Sequence, residues 1–423
     1  MEISRIMMKK NSWVSLPCSP VLLILCMAIS AIASPDSARA QEWRFEPVIR
    51  IGGEFDDNAT LNIRTDQELE LSGVLLELKA NIYYSSPTTS FVAQPKVLSR
   101  NYNENSSVDL GETDYDSTDF FLRLTFSRRG QTSTIGFRSV FDQQEIRTAE
   151  RAIADLEIED PDEITDDDTG RILLSGRRSK WQLAPYWIYQ LSDISSIGVA
   201  VDYFDVRYED VFARFLSDYT DARLKLNYRR KFSNANTALL TVTARRTDSL
   251  DTDFDVTGYG LMAGFEYALS EKTRVRAMIG FEDVQRSNVN ADPEIVGYIG
   301  LTRNLETIRL FAQYRRSIIA SGAGIAVRDS LNFNFRRRLS EKISAGLGIR
   351  AYQSRGAVGL TAIDDRDYIQ LQSSFFWYFS TSTVIEVDYR YTVNNRSSTV
   401  GERANSNQIN LWFTYQPKTI PKI

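Results

Sequence analysis

Two carboxylates close to the end of the chain have the spacing that acid–base chemistry requires. Glu386 and Asp388 lie two residues apart in a stretch of alternating polar and apolar residues, and on a β-strand this spacing separates two side chains by about 7 Å. Glycosidases hold their two catalytic carboxyl groups about 5 to 9.5 Å apart. Any polar strand supplies the same spacing, however, and Arg390 continues the row as an expected ion-pair partner. We therefore do not predict catalysis at this pair.

A second group of carboxylates forms the densest charge run of the chain. Its members are Glu157, Glu159, Asp160, Asp162, Glu163, Asp166, Asp167 and Asp168. Carboxylates at this density can gather calcium, but the spacing does not match an EF-hand loop and no glycine occupies the turn position. A run of like charges is typical of a solvated loop that self-repulsion keeps extended. We predict such a loop here, with no metal site and no cofactor.

The absence of other reactive side chains excludes most enzyme classes. The chain has no histidine, and both of its cysteines, Cys18 and Cys26, precede residue 41. A Ser-His-Asp or Cys-His nucleophile, a histidine base and a thiolate site are therefore excluded downstream of residue 40. The usual ligands of zinc, haem and iron–sulfur clusters are missing there as well. We predict that the protein is not an enzyme.

The first forty residues have the pattern of a secretory signal peptide. Arg5, Lys9 and Lys10 form a basic start, an apolar stretch follows over 21–33, and Ala38-Arg39-Ala40 provides a cleavage site before Gln41. The apolar stretch is shorter than the about 20 residues that a membrane-spanning helix needs. The sequence therefore predicts a signal peptide over 1–40, cleaved near Gln41, and an exported protein.

Downstream of the signal peptide, apolar and polar residues alternate with a period of two. Ile385, Val387, Tyr389 and Tyr391, for example, alternate with polar neighbours, and the same pattern recurs in segments of about ten residues up to Tyr415. Such strands suit a soluble β-sandwich, whose apolar face points into a core. They equally suit an outer-membrane β-barrel, whose apolar face points to lipid and whose polar face lines the lumen.

The connections between these segments are of two kinds that alternate along the chain. Short turns, several of them an apolar residue followed by serine, separate longer and more polar connections. This predicts nine hairpins, over 42–86, 88–129, 131–192, 194–233, 236–270, 272–304, 306–340, 342–380 and 383–416. Bacterial outer-membrane barrels are built with short turns on one side and long loops on the other. The pattern predicts eighteen strands, with sixteen as the alternative because Gly297 and Gly300 dilute the alternation over 293–304.

Aromatic residues and the export signal favour the barrel over the sandwich. Aromatic residues such as Trp187, Tyr189, Phe232 and Tyr267 lie within a few residues of the short turns, as in an interfacial girdle. We predict an all-β, transmembrane, antiparallel up-and-down β-barrel over 41–416, with a short periplasmic tail over 417–423. Its location would be the outer membrane of a Gram-negative bacterium.

The polar face of the predicted strands is rich in arginine and lysine, although the chain as a whole has a net charge of −5. The basic residues assigned to this face by alternation are Arg44, Arg50, Lys79, Lys96, Arg123, Arg138, Arg223, Lys225, Arg229, Arg274, Arg276, Arg309, Arg315, Arg336, Arg350 and Arg390. The acidic ones are fewer: Glu46, Glu77, Asp202, Glu266, Glu282, Glu386 and Asp388. Basic rings in a pore favour anions. Alternatively, these charges pair across strands and only keep the interior wet.

The start of the exported chain carries a family resemblance. Trp43-Arg-Phe-Glu-Pro47, a strand through Ile51, and then Phe55-Asp56-Asp57-Asn58 resemble the opening of the β-barrel porin type 2 family. The resemblance implies an outer-membrane barrel that accompanies exopolysaccharide biosynthesis and export systems, and it carries over no catalytic residue.

Two functions remain open at this point. The first is a porin that passes or exports a polar, anionic polysaccharide through a wide basic lumen, with outer-membrane lipid and periplasmic export components as partners and no nucleic acid. The second is a non-conducting structural or adhesive barrel that acts through its extracellular loops.

Overall fold

The structure is a computed structural model that describes residues 42–62, 68–105, 115–149, 151, 176–209, 216–249, 255–286, 289–290, 293–322, 324–356, 365–396 and 403–417. One short helix, α1 (Ile146–Ala149), follows the fifth strand. The strands are β1 (Glu42–Asp56), β2 (Glu70–Ser85), β3 (Thr89–Asn105), β4 (Ser117–Arg129), β5 (Ser133–Glu145), β6 (Arg177–Ser192), β7 (Ser195–Glu209), β8 (Tyr219–Lys231), β9 (Asn236–Ser249), β10 (Asp255–Ser270), β11 (Thr273–Arg286), β12 (Val289–Asn290), β13 (Glu294–Asn304), β14 (Ile308–Ser321), β15 (Gly324–Arg338), β16 (Ile343–Gly356), β17 (Arg366–Tyr378), β18 (Thr383–Arg396) and β19 (Arg403–Tyr415).

The strands form one closed antiparallel sheet. Each long strand pairs with the long strands before and after it in the chain, and β1 also pairs with β19, from Ile49 opposite Tyr415 to Asp56 opposite Gln408. The segment β12 has only two residues and pairs with the end of β11. The remaining eighteen strands make an up-and-down barrel, which confirms the predicted fold class and strand number.

The segment over 293–304, where the alternation is weakest, is the regular strand β13. It pairs with β11 and with β14. At Gly297 an added Cβ atom would lie 2.5 Å from the carbonyl oxygen of Met278. The close approach of the β11 backbone therefore explains a glycine where the alternation calls for a large side chain.

Large apolar side chains lie on the outside of the barrel and polar ones on the inside. On β17, for example, Ile369, Leu371 and Phe375 are exposed, whereas the alternating Gln370 and Gln372 are buried. Exposed large apolar side chains also occur on every other long strand except β3. A soluble sandwich buries its apolar face, so the exposed apolar positions distinguish the barrel from that alternative.

The two ends of the barrel differ. The connections β2–β3, β4–β5 and their equivalents span only a few residues, and we call this the tight-turn end. Several of the predicted aromatic residues near these turns are exposed on the outside, namely Trp187, Tyr189, Phe232 and Trp377. The longer connections lie at the opposite, loop end. None of the helices in the described part of the chain is long and apolar enough to span a membrane.

Three of the predictions fall largely or wholly outside the described residues. These are the signal peptide over 1–40, the acidic run over 157–168, and residues 418–423 of the predicted periplasmic tail. They stay predictions.

Candidate functional site

Six arginines lie on the inner face of the tight-turn half, from β8 to β15. They are Arg229, Arg274, Arg276, Arg309, Arg315 and Arg336, and we call them the arginine arc. Their strand positions are in register with other inner-face residues: Arg276 lies opposite Glu266, and Arg309 lies opposite Arg336. Among the described inner-face residues of this half, between β8 and β15, Glu266 is the acidic one. The arc therefore holds a clear excess of positive charge.

Glu266 and aromatic rings hold the arginine arc in place. Arg229 and Arg274 approach the two carboxylate oxygens of Glu266 at 3.4 and 3.5 Å. The guanidinium groups of Arg276 and Arg315 both lie close to the ring of Tyr298, at 5.4 and 5.6 Å from its centre. Contact with a ring positions a guanidinium without neutralising its charge.

Arg336 is held in the same way. Its guanidinium lies 4.2 Å from the ring centre of Phe376, and it donates a hydrogen bond of 3.0 Å to the hydroxyl of Tyr378. Both partners are neutral and belong to β17, two strands away from the β15 strand that carries Arg336. The arc is therefore a built feature of the wall rather than a row of unrestrained surface side chains.

The two other predicted basic residues of β8 are paired with carboxylates. Arg223 contacts Asp221 at 2.8 Å, and Lys225 contacts Asp202 at 2.7 Å. Asp221 is shared with Arg245, which lies 2.7 Å away and is only 1% exposed. The sequence-based alternative, in which inner charges pair with one another, therefore applies here: Lys225 and Arg245 pair across strands, and Arg223 pairs within β8.

The remaining predicted lumen residues lie on the same inner face but apart from the arc. Arg123 on β4 is exposed, and Arg138 on β5 lies opposite Thr125 of the same inner row. Arg350 is buried and lies between Asn332 and Gln370 in register, and Arg390 lies between Gln372 and Gln408. The structure thus brings six of the sixteen predicted basic residues together in the arc and distributes the rest around the barrel.

The carboxylates Glu386 and Asp388 are held by partners other than the expected Arg390. Glu386 accepts a hydrogen bond of 2.6 Å from Arg50, whose guanidinium also stacks on Trp412. Asp388 accepts hydrogen bonds from Ser374 and Gln372. Glu386 therefore links β18 to β1 across β19, and Asp388 links β18 to the neighbouring β17.

At the loop end, the segment after β5 folds into the barrel. Arg151, two residues beyond α1, binds Asp56 of β1 at 2.7 Å and donates a hydrogen bond of 2.7 Å to Ser406 of β19. Arg147 of α1 lies over the ring of Tyr102 on β3. Because β5 is four strands from β1, these contacts require the segment to extend over the inner surface of the barrel.

The hairpin between β14 and β15 also folds inward, and we call residues 318–322 and 324–327 the inward hairpin. Ile318 and Ile325 are almost fully buried in a cluster with Val206 of β7 and Val256 of β10. Arg245 of β9 donates a hydrogen bond of 2.9 Å to the carbonyl oxygen of Ile318. The strands β7 to β10 are several positions away from β14 in the ring, so the hairpin reaches across the mouth of the barrel.

A further backbone contact fixes the tip of the inward hairpin. The amide of Ser217 donates a hydrogen bond of 2.8 Å to the carbonyl oxygen of Gly322. An added Cβ atom at Gly322 would lie 2.6 Å from the ring of Tyr208. Only glycine therefore allows the tip to pack against the β7 wall.

The β1–β2 connection folds inward as the third segment. Leu61 packs in a buried cluster with Tyr352, Tyr368 and Ala404, which belong to β16, β17 and β19. The side-chain amide of Asn58 donates a hydrogen bond of 2.9 Å to the carbonyl oxygen of Asn405. Leu61 has a positive φ of 48°, a conformation that costs energy for such a residue and that persists only where the surroundings determine it.

The inner face is therefore open at one end and covered at the other. Arg274 and Arg229 of the arc are 65% and 51% exposed, whereas Arg245 near the inward hairpin is 1% exposed. We call the open part the vestibule. The predicted wide, basic lumen is therefore covered at the loop end, where three connections fold into it.

Sequence reasoning missed several residues that organise this interior. Arg151, Arg245 and Asp221 were not assigned to it. The signal at Arg245 was ambiguous, because it is followed by Arg246, which points outward, and the two-residue alternation gives no preference between them. Arg151 lies outside the alternating segments altogether.

Comparison with solved structures finds matches over most of the chain at low sequence identity. Pseudomonas aeruginosa OccK7 (OpdD) is 10% identical with a TM-score of 0.46, covering 90% of this chain and 99% of that one. Acinetobacter baumannii OccAB4 is 11% identical with a TM-score of 0.40, covering 92% and 100%. A mutant of the Pseudomonas aeruginosa ferric enterobactin receptor (PfeA) is 8% identical with a TM-score of 0.44, covering 88% and 80%.

No protein-family model matches the chain, and no curated protein is similar to it in sequence. At these identities and TM-scores, the similarity to solved structures carries no argument about function. The function has to be inferred from the geometry of the barrel.

Proposed function

We propose that the protein is a gated channel in the outer membrane of a Gram-negative bacterium and that it conducts small polar solutes with a preference for anions. The exposed apolar side chains support the membrane location, because lipid is the solvent that such an outer face matches. A barrel of 16 to 18 strands is wide enough for an aqueous lumen. The observation that carries the proposal is the arginine arc inside the vestibule, of which Arg229, Arg274 and Arg309 are exposed.

The arginine arc supports the preference for anions through its local charge. This part of the wall carries six arginines and one carboxylate, that of Glu266. Low-dielectric walls focus the electric field of charges that line a cleft. The net negative charge of the chain acts against this only weakly, since exposed charges farther away than about 8 Å are screened at physiological salt. The local excess therefore decides which ions the vestibule attracts.

The covered loop end supports gating. A solute that enters the vestibule meets the inward hairpin, α1 and the β1–β2 connection, which pack on the inner wall. Passage requires at least one of these segments to move. The inward hairpin is the best candidate, because it is attached by an apolar cluster and a few hydrogen bonds rather than by a buried ion pair such as that of Arg151 with Asp56.

Export of an anionic polysaccharide is the second candidate. Two observations favour it: the vestibule opens at the tight-turn end, which faces the periplasm in outer-membrane barrels, and residues 43–58 resemble the β-barrel porin type 2 family. A polymer would need a wider opening than a small solute, and so all three inward segments would have to withdraw. Periplasmic export components would then bind at the tight-turn end.

Neutralising part of the arginine arc tests the proposed selectivity. The variant Arg276→Gln, Arg309→Gln, Arg336→Gln should show an anion-to-cation permeability ratio at least about fivefold lower than the wild type. At the dielectric constant of water, one unit charge 4 Å from an ion contributes about 1 kcal/mol, so a decrease of about fivefold corresponds to the loss of a single arginine contact and is the smallest that we expect for the triple variant. The reversal potential across a planar bilayer in a salt gradient measures the ratio.

The matched control removes three arginines from the outer face of the loop end. Arg207, Arg246 and Arg316 face carboxylates there, and their replacement by Gln should leave the reversal potential unchanged. A wild type that prefers cations, or an arc variant with the reversal potential of the wild type, would reject the anion preference.

A further inference from the structure

The outer face of the tight-turn end carries a second group of arginines that the proposed channel does not use. The alternation of each strand, followed to its last residues, shows which side chains point outward at this end. Among the described strand residues, the charged ones are Arg128, Arg230, Arg303 and Arg337. All four are exposed. We call them the rim arginines.

Each rim arginine lies at the edge of the exposed apolar surface. Arg303 and Arg337 lie opposite Leu310 and Ile308 of β14, on either side of that strand. Two strand spacings and an offset of two residues along β14 separate their Cα atoms by about 12 Å. Arg230 lies next to the ring of Phe232, which is 69% exposed. The guanidinium groups are therefore at the level where the apolar surface ends.

The outward arginines of the loop end are arranged differently. Arg207 contacts Asp205 at 2.6 Å, Arg246 contacts Asp248 at 2.9 Å, and Arg316 contacts Asp329 at 2.8 Å. At the tight-turn end the outward strand positions that are described contain no acidic residue. The outward strand positions of this end are therefore uniformly basic, and the exposed carboxylates there, Asp193, Glu271, Glu306 and Glu341, lie in the tight turns beyond the strands.

We propose that the rim arginines bind the phosphate groups of anionic phospholipids in the leaflet that surrounds the tight-turn end. A long basic side chain at the edge of an apolar belt extends its charge to the level of the headgroups. Guanidinium groups bind phosphate with two parallel hydrogen bonds. The ligand class is a phospholipid with a net negative headgroup, such as phosphatidylglycerol, as distinct from phosphatidylcholine, whose phosphate is neutralised by its own choline.

Native mass spectrometry tests this proposal on the full chain released from micelles that contain equal amounts of phosphatidylglycerol and phosphatidylcholine. The wild type should retain phosphatidylglycerol in preference. In the variant Arg230→Gln, Arg303→Gln, Arg337→Gln, the preference should fall about fivefold at each site, which corresponds to the about 1 kcal/mol that one basic residue contributes near an anionic surface. High salt should lower the preference of the wild type in the same direction.

The variant of Arg207, Arg246 and Arg316 is again the matched control and should keep the preference of the wild type. Heat-modifiable migration on gels shows independently that each variant is a folded barrel. A folded wild type with equal retention of both lipids, or equal losses in both triple variants, would overturn the lipid site and leave the channel intact. A wild type that does not insert into any vesicle would overturn the membrane location, on which the lipid site also depends.

Discussion

Replacing Ile318 and Ile325 by serine should raise the fraction of time that the channel is open by about 100-fold. Both side chains are buried in the cluster that attaches the inward hairpin to the wall. Truncation of a buried isoleucine costs about 2 to 5 kcal/mol, and about 3 kcal/mol applied to the closed state alone changes an equilibrium about 100-fold. Single-channel recording in planar bilayers measures the open fraction.

The matched control for this variant is Leu331→Ser on the same strand. Leu331 is 44% exposed on the outer face, so its truncation leaves the inward hairpin attached and should leave the open fraction unchanged. If the doubly substituted protein is a folded barrel by its heat-modifiable migration and conducts like the wild type, the inward hairpin is not the gate.

An arginine on the outer face should destabilise the barrel much more than one on the inner face of the same strand. Leu224 is 43% exposed on β8, and Leu224→Arg should lower the free energy of unfolding by about 2 to 4 kcal/mol, the cost of a basic side chain near the bilayer midplane. Denaturant titration of the protein refolded into vesicles measures this difference.

The partner variant is Asn227→Arg. Asn227 points inward and accepts a hydrogen bond of 2.8 Å from Thr241, so its replacement should cost only about 1 kcal/mol, the typical value of one hydrogen bond. Equal losses for Leu224→Arg and Asn227→Arg would mean that the outer face does not contact hydrocarbon.

The hairpin layout was predictable because it depends on local patterns. A period of two identifies a strand and its two faces, and short turns identify where the chain reverses, as at Ser192 and Ser340. Neither signal depends on contacts between distant parts of the chain. Even β13, where Gly297 weakens the alternation, could be predicted, because one strand is needed to complete the hairpin between the short turns on either side.

The interior was predictable only in part, because its arrangement depends on distant contacts. Alternation assigned Arg274 and Arg276 to the inner face, but it gives no information on which carboxylates they meet. The contact of Arg151 with Asp56 joins residues 95 positions apart. The sequence of the inward hairpin does not differ from that of an ordinary strand end. The wide lumen was therefore the expected result, although three segments cover one end.

Current recording across a planar bilayer with the purified full-length protein tests the central claim most directly. We predict discrete current steps, with a reversal potential on the anion side in a salt gradient and with more frequent openings in the Ile318→Ser, Ile325→Ser variant. A correctly folded barrel that passes no current, in both the wild type and this variant, would contradict the channel and favour a closed structural or adhesive barrel.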